Sequence, residues 1–559
     1  MGGSTRTASC KSPDNHAPGD GRVGHRRIVA SLIVLAGALP AAAIPPEGEV
    51  WRGLDTPGLS ILGNASETEL QSVAHNLESL RLVLSRIGNG APPPSDPIRV
   101  IVFKNASSFD PYRQGIGKNA TTVAGFYTEW LGDRFIALNV AAGSSPYPTV
   151  YHEYLHSVVR QQFGRVPLWL NEGIAGVYET FVVEGNKAIV GKPARDRLGF
   201  MADHPWKPLS DVIFLDDKTG LHEHDDDATS TFYAESWLLV HDLFFGHPQR
   251  LKQLATFLES YARGVPHKEA FEKSFEGGLA GMEAEVRAYL RGRQPYITVT
   301  FDQLSVTEPG SVHDVSRLDV LLALGRLLMI AESSSVEEAV KHFEAARAIA
   351  PDDPRIKAGL GLAAYRDDRD DEAAKLLDAA TDAGVEDATV LTAAGRIALH
   401  RDDDARARDL AARALAIRPA DADLLALYGL SFVGETGDPA QGIASLERAD
   451  QLDPDRGDVL SGLVALCAQS KDRAKAEAAA RRAEALKQPA LSKHVRESLT
   501  RLDVMEAEDA VRAKDYAKAV ALLRAARDRT ARDELKSRID ERILELEEAM
   551  SKKKPTTRH

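Results

Sequence analysis

The stretch YHEYLHSVVRQQFGRVPLWLNEGIAGVYETF, Tyr151 to Phe181, holds the side chains best placed to do chemistry. His152 and His156 are four residues apart. On a helix that spacing sets two imidazoles about 40° apart on one face, where both can meet one ion. Glu153 lies beside them, able to reach a water on that ion without being a ligand. A catalytic divalent metal usually takes a third protein ligand and keeps one position open. Gly164 lies eight residues after His156 and eight before Glu172, and Pro167 follows it. A helix stopped at Gly164 and restarted after Pro167, with Asn171 as its cap, forms a helical hairpin. Such a hairpin returns Glu172 to the level of the histidines. His152, His156 and Glu172 are therefore the expected metal ligands, with Glu153 as the general base.

The surrounding elements must hold that hairpin. From Trp51 to Gln294 the pattern is mixed. Thr68 to Ile87 repeats apolar residues at helical spacing, and a Pro-rich break, APPPSDP, separates it from IRVIVF (Ile98 to Phe103), a buried strand. AGFYTE and RFIALNV read as further short strands, and VVEGNKAIVG as a hairpin. Thr231 to Phe245, TFYAESWLLVHDLFF, reads as a helix. The expected architecture for residues 44–300 is α+β.

HEYLH followed by PLWLNEGIA resembles the zinc peptidases called gluzincins, in which HExxH is followed by a glutamate on the next helix. LWLNEGIA is similar to the second-helix segment of their aminopeptidases. The small bacterial peptidase MA-like domains, often joined to helical repeats, are closer in architecture. The resemblance covers about thirty residues. It implies a zincin-like fold, Zn2+ on His152, His156 and Glu172, and hydrolysis of peptide bonds in a peptide or protein substrate. Peptidases of this kind also place a tyrosine or histidine on a later helix to stabilise the oxyanion, and Tyr233 is the candidate here. Two departures stand out. Fifteen residues separate His156 from Glu172, a shorter gap than in the aminopeptidases, and no GAMEN-like segment lies upstream. RFIALNVAAG occupies the region expected for a substrate-binding edge strand. Aminopeptidase action is accordingly not expected.

After a polar connection, residues 301–317, the chain becomes helical and repetitive. Ala346, Ala380, Ala414 and Ala449 recur at steps of 34, 34 and 35 residues, each five before Pro351, Val385, Pro419 or Pro454. Gly361, Gly395 and Gly429 keep the same 34-residue step. Small residues at fixed positions let paired helices approach closely, and this period is the tetratricopeptide signature. Residues 318–490 are expected to form an all-α solenoid, and 491–551 a degenerate repeat with capping helices. The repeat surface would hold an unidentified protein or peptide partner. The rival reading of the whole chain is a non-catalytic interaction protein working through these repeats.

Composition narrows the remainder. Hydrophobic content of 43% and charged content of 27% describe a globular chain, and 559 residues exceed a single core. A net charge of -13 offers no electrostatic reason to bind nucleic acid. Arg22, Arg26 and Arg27, then Ile28 to Leu39, then Ala41 to Ala43 form the three parts of a secretory signal over residues 1–43. The apolar part is too short for a comfortable membrane span. Export to the periplasm or medium is expected, with tethering by an uncleaved N-terminus as the alternative. Cys10 would leave with that segment, and Cys467 reads as a small core residue. HEHDDD (His222 to Asp227) and the tail 552–559 read as solvated, His241 as a packed core histidine, and Glu179 most simply as a surface carboxylate.

Overall fold

The structure is a computed structural model that describes residues 44–87, 97–112, 124–142, 145–163, 166–215, 226–300, 310–330, 336–434 and 437–552. The expected signal, Cys10, the Pro-rich break, Gly164, most of HEHDDD and nearly all of the basic tail lie outside them.

Nine strands occur among the described residues: β1 (Arg52–Asp55), β2 (Leu59–Gly63), β3 (Ile98–Phe103), β4 (Gly125–Trp130), β5 (Asp133–Asn139), β6 (Val182–Glu184), β7 (Lys187–Val190), β8 (Ile297–Thr300) and β9 (His313–Asp314). Six of them build one sheet in the order β4-β5-β3-β2-β1-β9, and β6-β7-β8 form a small second sheet. In the large sheet β2, β3 and β5 run parallel, while β1, β4 and β9 are antiparallel to their neighbours. Residues 313–314 of the expected connection are thus a strand of that sheet, and Val315 N–H donates to the Trp51 carbonyl.

The helices of this half are α1 (Glu67–Ile87), α2 (Ala106–Phe109), α3 (Tyr147–Phe163), α4 (Leu168–Glu179), α5 (Arg195–Asp203), α6 (Leu209–Ile213), α7 (Asp226–His241), α8 (Leu251–Ala262), α9 (His267–Ser274) and α10 (Gly278–Leu290). A π-turn at Asp242–Gly246 follows α7. RFIALNV is not the edge strand. It forms most of β5, which lies between β3 and β4, and β4 is the edge beside α3. Every residue of β5 is buried, whereas four of the six in β4 are half-buried.

The second half stacks five helix pairs: α11 (Arg317–Ile330) with α12 (Val336–Ile349), α13 (Pro354–Arg366) with α14 (Asp370–Asp382), and α15 (Ala388–His400) with α16 (Asp404–Ile417). Then come α17 (Ala422–Leu430) with α18 (Pro439–Leu452), and α19 (Gly457–Gln469) with α20 (Arg473–Ala485). The stack ends with α21 (Pro489–Arg512), α22 (Tyr516–Arg529) and α23 (Asp533–Lys552). The periodic alanines are fully buried. Gly361 and Gly429 lie against Leu377 and Leu446 of their partner helices, where an added methyl would come within 2.8 and 2.6 Å. The same step carries a second signal: Asp353, Asp387 and Asp421 each cap the first helix of a pair, accepting from backbone N–H groups two or three residues on. Cys467 is buried in this stack.

Both halves share the large sheet. Successive strand residues point to opposite faces. On β3, Ile98, Val100 and Val102 join the core beneath α1, α3, α4 and α7, together with Ile136 and Leu138 of β5. Ile101, Phe103, Phe135 and Ala137 face the other way and pack with Val320, Leu324, Leu327 and Leu328 of α11. That double cover explains why IRVIVF is apolar at every position but Arg99, whose guanidinium meets Asp133 and Asp387. No helix among the described residues is long and apolar enough to cross a membrane.

Candidate metal centre

The site is built where α3, α4 and α7 meet. α3 carries His152 and His156 one turn apart, with ring centroids 4.9 Å apart and planes nearly perpendicular. α4 packs on α3. Its N-cap is Pro167 in an extended conformation, and Asn171, expected as the cap, is instead inside the helix, its N–H donating to the Pro167 carbonyl. The earlier start gives α4 room to set Glu172 in its second turn.

Close crossing of α4 and α7 rests on two glycines. A methyl on Gly173 would meet Val240 Cγ2 at 2.3 Å and the Ser236 carbonyl at 2.5 Å, and one on Gly176 would touch Trp237 Cβ at 3.3 Å. Trp237 of α7 is fully buried, and so is His241, as expected. His241 is held between the Tyr289 hydroxyl and the Gly191 carbonyl, each at 2.8 Å. Tyr233, one turn before Trp237, emerges half-buried with its ring centroid 6.4 Å from that of His152.

Nε2 of His152 and Nε2 of His156 stand 3.3 and 3.5 Å from Glu172 Oε2. Ligand atoms from all three residues lie within 4.8 Å of one another. Donors at 2.0–2.2 Å from a tetrahedral ion are about 3.3–3.6 Å apart, so these separations suit zinc. Glu172 is 8% exposed, and its Oε2 accepts no well-formed hydrogen bond. A buried carboxylate oxygen without a donor is costly unless a cation answers it. The residues present fit the metal.

The local field is negative. Burial alone would lower the His152 imidazolium, but Glu172, then Glu179 and Glu153, raise it above its ordinary value. Carboxylates that favour a proton on this ring also favour a dication beside it. Burial, followed by the Glu172 and Glu153 carboxylates, pushes the Tyr233 phenol up to about 12. It is a neutral donor at physiological pH. Glu153 is half-buried on α3.

Glu179 is not a plain surface carboxylate. Its Oε2 lies 4.0 Å from His152 Nδ1 and accepts from Arg197 Nη2. Arg197 Nη1 also donates to the Tyr233 carbonyl at 2.8 Å, so one guanidinium of α5 ties α4 to α7 beside the histidines. Sequence reasoning missed Arg197, because neither its spacing nor its neighbours mark it.

A family model for the tetratricopeptide repeat matches residues 331–397, so this region carries that repeat. No curated protein matches the chain. Among solved structures the chain is similar to YrrB, described as a TPR protein with an unusual peptide-binding site, at 17% identity over 32% of this chain and 90% of that one, TM-score 0.28. It is also similar to pilF of Pseudomonas aeruginosa, at 15% identity over 40% and 97% of the two chains, TM-score 0.27. MamA of Desulfovibrio magneticus RS-1 is similar at 19% identity over 30% and 94%, TM-score 0.26.

Proposed function

We propose that this chain is an exported zinc-dependent metallopeptidase of gluzincin type whose tetratricopeptide repeats bind protein or peptide. The observation that carries the reading is the convergence of His152, His156 and Glu172, with ligand atoms within 4.8 Å of one another. The α+β half is read as a zincin-like domain on the same ground.

Zinc held there would supply a Lewis acid and acidify a water. Glu153 would take the proton of the attacking water and return it to the leaving amine. Tyr233, kept protonated, would donate a hydrogen bond to the carbonyl oxygen as it gains charge. Glu172 and the histidines would fix where the reacting carbonyl can sit, while Glu179, held by Arg197, would steady the His152 ring from its Nδ1 side. Action within a peptide rather than at its free amine is the proposed mode.

The test is zinc content per purified chain beside a His156→Ala variant. About one zinc is expected, lost in the variant, and a peptide-library screen then seeks turnover. A native chain that takes no zinc after supplementation overturns the reading. The second reading is a non-catalytic partner-binding protein, and it draws on the repeat match at residues 331–397, which suggests protein or peptide binding. It gains ground if zinc binds and no peptide is cut.

A further inference from the structure

The first helices of successive repeat pairs, α11, α13, α15 and α17, pack on one another along the stack. They therefore line its inner side, the surface on which repeat solenoids ordinarily hold their ligands. In this chain that surface meets the turn between β4 and β5.

The turn is two residues long, Leu131 and Gly132, with φ of +49° and +74°. Such a turn matches the twist of a hairpin, yet a left-handed leucine is strained and persists only where its surroundings hold it. The holding groups come from the repeats. Arg418 Nη1 donates to the Leu131 carbonyl at 2.8 Å, and Thr389 Oγ1 donates to the same oxygen at 3.3 Å. Trp130 lies against Tyr365 of α13, with the Arg366 guanidinium 5.4 Å from its ring centroid. Asp133, at the start of β5, is 2% exposed and meets Arg326 Nε of α11 at 2.7 Å.

We infer that the inner face of the first three repeat pairs takes this chain's own β4–β5 turn as its ligand, and that the repeats thereby brace the edge strand beside the metal-site helix. The connection continues from β4 to α3. Tyr127 of β4 packs 6.3 Å from Tyr154, and a methyl on Gly125 would lie 3.0 Å from Val150. Both partners are in the helix of His152 and His156. α3 also touches α18, so the stack contacts the metal-site helix a second time. Arg418, Thr389 and Arg326 are positioning residues. As far as turnover is concerned, this role rests on the peptidase reading.

Hydrogen exchange of the full chain tests the brace without assuming any activity. Arg418→Met removes the guanidinium bonds to the Leu131 carbonyl and to the Thr389 hydroxyl. Exchange at amides 125–130 is expected to quicken about tenfold, the scale of one lost charge-assisted bond, with residues 457–485 unchanged. Arg418→Lys, which keeps one donor, should recover most of the protection. Unchanged exchange at 125–130 in Arg418→Met overturns the inference. If Arg418→Met loosens 457–485 as well, Thr389→Val, which removes the hydroxyl's bond to the Leu131 carbonyl and the one it accepts from Arg418 Nη2, is judged by the same two outcomes. Should the chain hydrolyse peptides, Arg418→Met lowers kcat/KM at unchanged zinc content. A chain that cuts nothing still yields the exchange result, so failure of the peptidase reading and failure of the brace are separable.

Discussion

Glu179 Oε2 stands 4.0 Å behind His152 Nδ1, on the side of the ring away from Glu172, and Arg197 grips the same carboxylate. An imidazole that binds metal through Nε2 keeps its orientation and tautomer through a partner at Nδ1. His152 Nδ1 is buried and makes no well-formed hydrogen bond, so a small rotation toward Glu179 would complete the pair.

Glu179→Gln and Arg197→Met are each expected to weaken zinc binding by about 10–100-fold, the usual effect of losing an outer partner. Competition against a chelator of known affinity measures this. Equal affinity in both variants removes Glu179 from any role at the site.

Glu153→Gln should retain zinc and lose hydrolysis by about 10²–10⁴-fold, because the amide cannot take a proton from water. Metal analysis and steady-state rates on the same preparation decide it. Full turnover in the variant would exclude Glu153 as the base.

Tyr233→Phe should reduce kcat by about 10²-fold with little change in KM, as expected when a donor acts on charge that develops only during reaction. With its phenol pushed up to about 12, Tyr233 remains protonated across the ordinary assay range. An alkaline decline in rate near pH 9 would therefore belong to another group, and it should persist in the phenylalanine variant if any rate remains.

The join between the halves makes a stability prediction. Burial alone would raise the Asp387 carboxyl, but Arg326 and then Arg99 outweigh it and hold it well below the usual carboxylate range. Arg326 donates to both its oxygens, at 2.7 and 2.9 Å, and Arg99 Nη2 to one at 3.2 Å. Asp387→Asn should cost about 2–3 kcal/mol in urea unfolding at pH 7. A depressed acid contributes fully above its unfolded value of about 4 and loses that contribution as pH falls toward its folded value. The gap between native and variant midpoints should thus stay constant from about pH 7 to 5 and close below about pH 4. A gap that widens on acidification would contradict the assignment.

What could be read from sequence was local. The histidine spacing, the proline before α4 and the repeat alanines are each set by one helix or one turn, and the structure brings their side chains together as the spacing implies. Long-range placement was not legible. Arg197 reaches Glu179 only through the packing of α5, and no pattern in a two-residue strand announces His313–Asp314 as a sheet edge. The placement of RFIALNV at the edge had a readable counter-signal: four apolar residues in a row, Phe135 to Leu138, point to a strand covered on both faces. Asp387 shows the limit most plainly. It reads as a helix cap, and nothing local says that it also receives two arginines.

The large sheet has a practical consequence for dissecting this protein. Ile101, Phe103, Phe126 and Phe135 lie on one side of it, covered in part by Trp51, Phe109 and Tyr112 and in part by α11 and the repeats beyond residue 317. A fragment that stops before α11 would lay the rest of that side open to water as apolar surface, the kind that drives self-association. The repeats, cut away, would lose the turn that fills their inner side. The seam that a sequence map would choose for the scissors runs through the middle of a shared interior, and the smallest piece fit for the bench is the chain with both halves attached.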